Sequence, residues 1–128
     1  MASKEFDIVV YGATGYTGRL VAEHFVREYV GKPEAPTWAM AGRSLAKLEE
    51  VRGLINAPSD TPLVVADADD AGSLDALCRR TRVVLTTVGP YQLYGSELVA
   101  ACARTGTDYA DLCGEPGWMR EMIDTHNE

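Results

Sequence analysis

The sequence predicts an α/β fold built on a doubly wound parallel sheet of about five strands. Three observations carry this expectation. Short, β-rich apolar segments alternate with amphipathic helical stretches along the whole chain, no tight-turn signal joins two strands directly as a hairpin, and a glycine-rich run links the first strand to the first helix. Alternation of this kind builds βαβ units, which give parallel strands with helices on both faces. A chain of 128 residues is sufficient for one such domain.

Phe6-Asp-Ile-Val-Val-Tyr11 is apolar and ends at a glycine, as a buried strand does. From Tyr16 to Tyr29 the period becomes helical, with Leu20, Val21, Phe25 and Tyr29 on one stripe, and Gly31 and Pro33 end the helix. Residues 36–41 form the second strand. A helix over 44–55 carries Leu45, Leu48, Val51, Arg52 and Ile55 along one side. Residues 63–66 form the third strand and 71–80 a helix. Residues 82–88 are the fourth strand and 96–104 a helix closed by Gly106. Residues 109–112 are the fifth strand. Pro116 then opens a last helix, whose Trp118, Met119, Met122 and Ile123 make an apolar stripe. The predicted strand order is 3-2-1-4-5, one strand short of the six-stranded dinucleotide-binding sheet.

Composition narrows the function. A net charge of −7 argues against nucleic acid as a partner, because phosphate backbones are bound by basic surfaces. Much of the acid lies between Asp60 and Asp75, in a solvated loop and helix start. No apolar run approaches the roughly 18 residues of a membrane span, and the first residues lack a signal peptide's apolar region, so the expected location is the cytoplasm. The three cysteines, Cys78, Cys102 and Cys113, have no metal-ligand spacing, and Cys78 and Cys102 are expected as small core residues. No metal site is expected.

The chemistry is carried by Gly12-Ala13-Thr14-Gly15-Tyr16-Thr17-Gly18, between strand one and helix one. This is a variant of the dinucleotide-binding fingerprint, in the strand-to-helix context that gives the pattern its meaning. Gly12 allows the sharp turn off the strand, Gly15 lets a pyrophosphate approach the backbone, and Gly18 lets the helix lie close to the sheet. The helix N-terminus offers N–H groups to the phosphates, and Thr14 and Thr17 add hydroxyls. The end of strand two selects the cofactor. An acid there binds the ribose 2′-OH of NAD, but Ala41-Gly42-Arg43-Ser44 contains none. Arg43 is a planar cation suited to a 2′-phosphate, and Ser44 adds a hydroxyl and a helix cap. Lys47 lies in the first helical turn, where a bound phosphate would relieve its conflict with the helix dipole. The expected cofactor is therefore NADP(H), against the alternative that Arg43 and Lys47 are ordinary solvated charges. Asp67 approaches the adenine or simply starts a loop. Val88, Gly89 and Pro90 line the ribose and nicotinamide end, where Tyr91 and Tyr94 either stack near the nicotinamide or close the loop as half-buried aromatics.

Several longer segments resemble one family. Residues 7–18, Ala41–Ser44, Thr87–Tyr91, Tyr94-Gly95 with Leu98–Cys102, and Gly106–Asp111 with Gly114-Glu115 are similar to the N-terminal region of saccharopine dehydrogenase-like oxidoreductases, closest to the trans-acting enoyl reductases of complex-lipid and polyketide synthesis. The resemblance implies cofactor roles for Gly12, Gly15, Gly18, Arg43 and the Gly89-Pro90 turn, and a C-terminal domain that completes the active site; it supplies no catalytic residue. The uncapped last helix agrees: residues 1–128 read as the nucleotide-binding half of a larger enzyme, inactive alone and able to self-associate through that helix. The expected reaction is hydride transfer between NADPH and a C=C or C=N bond of a small-molecule or acyl/lipid substrate. The alternative is a non-catalytic NADP-binding or redox-sensing module, which fold alone does not separate from an enzyme.

Overall fold

The computed structural model describes residues 4–89, 94–112 and 115–126. Ten elements alternate: β1 (Phe6–Tyr11), α1 (Tyr16–Tyr29), β2 (Trp38–Gly42), α2 (Leu45–Leu54), β3 (Leu63–Val65), α3 (Ala71–Arg80), β4 (Thr81–Thr86), α4 (Ser96–Thr105), β5 (Asp108–Ala110) and α5 (Pro116–His126). The five strands form one sheet in the order β3-β2-β1-β4-β5, with every pairing parallel. Sheet order and layering match the expectation, and the element ends differ from it by one or two residues.

Side-chain alternation along each strand divides the core into two layers. On one face Val9, Tyr11, Ala39, Ala41, Val64 and Val84 meet Leu74, Leu77 and Cys78 of α3 and Leu98, Ala101 and Cys102 of α4. On the other, Val10 and Met40 meet Ala22 and Phe25 of α1 and Leu48, Val51 and Ile55 around α2. Phe25 anchors this second layer, with edge contacts to Tyr29 at 5.2 Å and Trp38 at 5.3 Å. Such aromatic pairs contribute about 0.5–1.5 kcal/mol each beyond their buried area.

Two positions expected on apolar stripes are exposed: Leu20 on α1 and Leu45 on α2. The buried line of α1 runs instead through Gly18, Ala22 and Phe25. Val21, Val26 and Tyr29 pack beside that line as partly buried residues. Leu45 is the first residue of α2, and the helix turns its buried face inward at Leu48 and Val51.

The last helix also departs from expectation. Trp118 is buried, only 6% exposed, and its Nε1–H donates to Ser96 Oγ at 2.9 Å. The indole is thus satisfied at both its apolar body and its polar edge by α4. Met119 and Ile123 remain exposed, so the predicted stripe is divided between a docked residue and an outward face.

Helix starts and stops follow their local chemistry. Ser44 Oγ caps α2 by accepting from Lys47 N, and Asp70 Oδ1 caps α3 by accepting from Ser73 N. Gly106 ends α4 in the left-handed conformation, with its N–H bonded to Cys102 O. Helix α3 runs into β4 with no residue between them.

The tightest packing lies at Gly18. A Cβ built there would stand 1.9 Å from Gly12 O and 2.6 Å from Gly12 C, both backbone atoms that cannot move independently of β1. Gly18→Ala should therefore force α1 off the sheet and destabilise the domain by about 3 kcal/mol or more. Urea unfolding measures this, and a midpoint within error of the parent would show that the helix does not lie this close.

Candidate functional site

Parallel strands deliver their loops to one edge of the sheet, and at that edge β1, β2, β3 and β4 surround a cleft of about 360 Å³. The crevice outside the carboxyl ends of such strands is where α/β domains bind ligands. Gly12, Thr14 and Gly15 form the wall contributed by the β1–α1 turn. Gly12 has φ +87°, a conformation that favours glycine, and its N–H bonds Ala41 O at 2.9 Å. Thr87 approaches the same turn, with its N–H on Tyr11 O at 3.1 Å, and a Cβ on Gly12 would sit 2.9 Å from Thr87 Oγ1. The turn is thus fixed by β2 on one side and the end of β4 on the other.

Gly15 differs from Gly12 and Gly18. A Cβ there would touch only Gly12 O, at an ordinary 3.5 Å, so the protein itself leaves space beside this residue. Gly15 also starts α1 with no side-chain cap, in contrast to Ser44 on α2 and Asp70 on α3. First-turn N–H groups without a side-chain cap are open to another acceptor, and helix N-termini of this kind suit anions.

The charged wall comes from β2 and β3. Arg43, directly after β2, is the single cation among the described residues of the cleft, facing Asp67 and Asp69 from the loop after β3. Ion pairs among the described residues join Arg80 to Glu5, Arg82 to Asp7, Arg104 to Asp75 and Arg120 to Asp124, which leaves the exposed Arg43 guanidinium unpaired. Asp67 is committed to its own loop: Oδ1 accepts from Asp69 N at 2.9 Å, and its backbone N–H donates to Ser73 Oγ at 3.0 Å. Between the two walls lies Tyr11. Burial, and then the charge of Asp67, push its phenol up to about 12 against the opposing pull of Arg43, so it stays a neutral hydroxyl at the cleft floor.

Of the expected site residues, Gly12, Thr14, Gly15, Arg43, Asp67, Val88 and Gly89 line the cleft. Ala13 is buried in the second core layer beneath it, with its N–H on Ala41 O. Gly18 packs under the turn, Ser44 serves as the α2 cap, and Tyr16 is 77% exposed outside the cleft wall, as is the exposed Thr17. Lys47 contributes its backbone N–H to Ser44, and its side chain is not on the wall. Pro90 and Tyr91 lie outside the described residues. Tyr94 lines the cleft and is 43% exposed. Sequence reasoning passed over Tyr11, Gly42, Ala68, Asp69 and Thr87 as wall residues. Each stands at or just beyond the C-terminal end of a strand, and the strand ends alone would have marked them.

Fold and cleft together define a dinucleotide-binding α/β domain of the Rossmann class. The family model described as "Saccharopine dehydrogenase NADP binding domain" matches residues 8–128, and the chain belongs to that family. Among curated proteins it is 52% identical over 126 residues to a trans-acting enoyl reductase of Mycobacterium leprae (strain TN), covering 98% of this chain and 29% of the relative. It is 48% identical over 128 residues to the trans-acting enoyl reductase of Mycobacterium tuberculosis (strain ATCC 25618 / H37Rv), covering 99% of this chain and 30% of that one. The chain thus spans about 30% of the length of these relatives. Apo histidine-tagged saccharopine dehydrogenase (L-Glu forming) from Saccharomyces cerevisiae superposes with a TM-score of 0.69 at 16% identity, over 91% of this chain and 24% of that one. Citrobacter sp. triphenylmethane reductase complexed with NADP(H) gives 0.72 at 19% identity, over 94% and 46%. These two likenesses concern the fold. No helix among the described residues is long and apolar enough to cross a membrane.

The contrast between the two glycines yields a test. Gly15→Val should leave the domain folded, because the protein offers room for the side chain, yet fill the space beside the α1 N-terminus. NADPH affinity should fall by a factor of about 100 or more, the order of a lost phosphate contact set. Calorimetry on a variant with unchanged circular dichroism reads this directly, and parental affinity would remove Gly15 from the binding surface.

Proposed function

We propose that this domain holds NADPH in the β1–β4 cleft for a larger oxidoreductase, which delivers hydride to the polarised C=C bond of an enoyl group on an acyl or lipid substrate. The observation that carries the cofactor choice is Arg43, a cation with no ion-pair partner among the described residues, where an NAD-specific domain would place a carboxylate. Support for enoyl reduction over C=N chemistry comes from the names of the relatives at 48–52% identity.

When bound, the dinucleotide supplies the hydride. The protein's own residues hold and orient it. Gly12 and Gly15 give the pyrophosphate a surface without side chains, and α1 offers its first-turn N–H groups. Arg43 takes the 2′-phosphate, assisted by the Ser44 hydroxyl at the start of α2. Asp67, held in place by Ser73, and Asp69 bound the adenine side. Val88 and Gly89 form the nicotinamide end, beside Tyr94. The substrate pocket and the catalytic groups belong, in this reading, to a further C-terminal domain, for which the exposed Met119 and Ile123 of α5 offer an apolar docking face. Without that domain the same face is available for self-association. A cytoplasmic location fits, since Cys78 and Cys102 are free thiols.

Arg43→Ala should weaken NADPH by about one to two decades, the worth of a charge-assisted hydrogen bond. It should barely change NADH, and the parent's preference should shrink as salt is added. Titration with both cofactors at two ionic strengths measures this. Equal binding of the two by the parent protein, or equal weakening of both by the substitution, would overturn the assignment. NADPH oxidation by the full-length protein with an enoyl thioester tests the reaction; tight NADPH binding with no turnover would mark a binding module instead.

A further inference from the structure

The face of the sheet away from α1 and α2 carries a second chemical feature. Cys78 near the end of α3 and Cys102 near the end of α4 are both buried, and their sulfurs lie 3.6 Å apart as free thiols. This is van der Waals contact across the seam between two helices. A disulfide requires about 2.05 Å, so bond formation brings the two sulfurs about 1.5 Å closer.

Both side chains lie in the core, Cys78 at 0% and Cys102 at 2% exposure, with a surface groove beside the second. Cys102 forms part of the wall of a surface groove of about 670 Å³ between α4, β5 and the last turn of α5, with Ala103, Thr107 and His126 beside it. The surrounding hydrogen bonds hold the backbone in place. Thr107 Oγ1 donates to Cys78 O at 2.7 Å, Lys4 Nζ donates to the same oxygen at 3.0 Å, and Thr105 Oγ1 donates to Ala101 O at 2.8 Å.

We propose that Cys78 and Cys102 are a dithiol site that a small hydroperoxide converts to a disulfide joining α3 to α4. One sulfur, as thiolate, attacks the peroxide O–O bond and becomes a sulfenic acid, while the departing oxygen leaves as water (or alcohol). The other sulfur attacks the sulfenic sulfur, forms the S–S bond and expels the hydroxyl, which leaves as water with the last proton. Two thiols and one hydrogen peroxide thus give one disulfide and two waters; the peroxide is reduced and the two sulfurs are oxidised. The first deprotonation is helped within the pair, because the contact with Cys102 holds Cys78 below the ordinary thiol range. The same contact, with burial, holds Cys102 above it.

The bridge would close a ring around residues 79–101. That ring contains β4 and the Thr87, Val88, Gly89 and Tyr94 wall of the cofactor cleft.

The test uses the unmodified protein. It is treated with hydrogen peroxide, its remaining thiols are blocked with an alkylating reagent, and it is digested with trypsin without reduction. Cleavage at Arg52, Arg79, Arg82 and Arg104 places Cys78 in residues 53–79 and Cys102 in residues 83–104, separate from Cys113. The expected result is loss of two of the chain's three thiols and a linked 53–79/83–104 peptide as the main product, separated again by dithiothreitol. Retention of both thiols, oxidation confined to Cys113, a link that uses Cys113, or unlinked sulfinic acids at Cys78 and Cys102 would each overturn the proposal.

Discussion

Helix α1 reaches the end of β1 only because residue 18 has no side chain, and the rest of the cleft is arranged around that contact. With Gly18 against the Gly12 carbonyl, the helix axis points its first turn at the gap between β1 and β4, and the chain must leave the strand through a positive-φ residue to get there. The Gly12 turn is then held from both sides, by Ala41 O of β2 and by Thr87 at the end of β4. Three neighbouring strands therefore depend on one backbone-to-backbone approach. The geometry that makes the helix N-terminus available is the same geometry that packs the sheet.

Charge at the cleft is arranged by contrast. The acidic loop after β3 is tied into itself through Asp67, Asp69, Asp70 and Ser73, and the carboxylates of Asp67 and Asp70 are held in position by local hydrogen bonds. Arg43 has no such tie among the described residues. An anion that arrives near β2 meets a cation it need not detach from a partner, whereas an anion near β3 meets fixed negative charge. The cleft thus has a polarity along its length, and the neutral Tyr11 hydroxyl stands between the two ends.

Much of this was legible in the sequence because the deciding constraints are local. Glycine at 12, 15 and 18, the missing acid before Arg43, the cap at Ser44 and the αL stop at Gly106 each reflect backbone or charge requirements within a few residues. What could not be read depends on distant neighbours. Leu20 and Leu45 fit a helical stripe as well as their buried neighbours do, and only the close approach of α1 and the angle of α2 turn them outward. Trp118 is buried because Ser96, 22 positions earlier, accepts its N–H. Cys78 and Cys102 meet across two helices separated by β4, a spacing that belongs to no short motif. Tyr11, Ala68 and Asp69 join the cleft because their strands end at the same edge.

The direct passage of α3 into β4 leaves that junction without slack. Eight residues separate α1 from β2, and an inserted residue there can be taken up as loop. Between Arg80 and Thr81 nothing can take it up. Because side chains alternate across the sheet, adding or deleting one residue at this point would exchange the faces of β4. Val84 would turn from the α3–α4 layer toward α1 and Leu85 would take its place, both layers being disturbed at once. The spacing from the middle of α3 to the cleft therefore behaves as a fixed ruler, and natural variation in length is expected to collect in the segments before β2 and β3 instead.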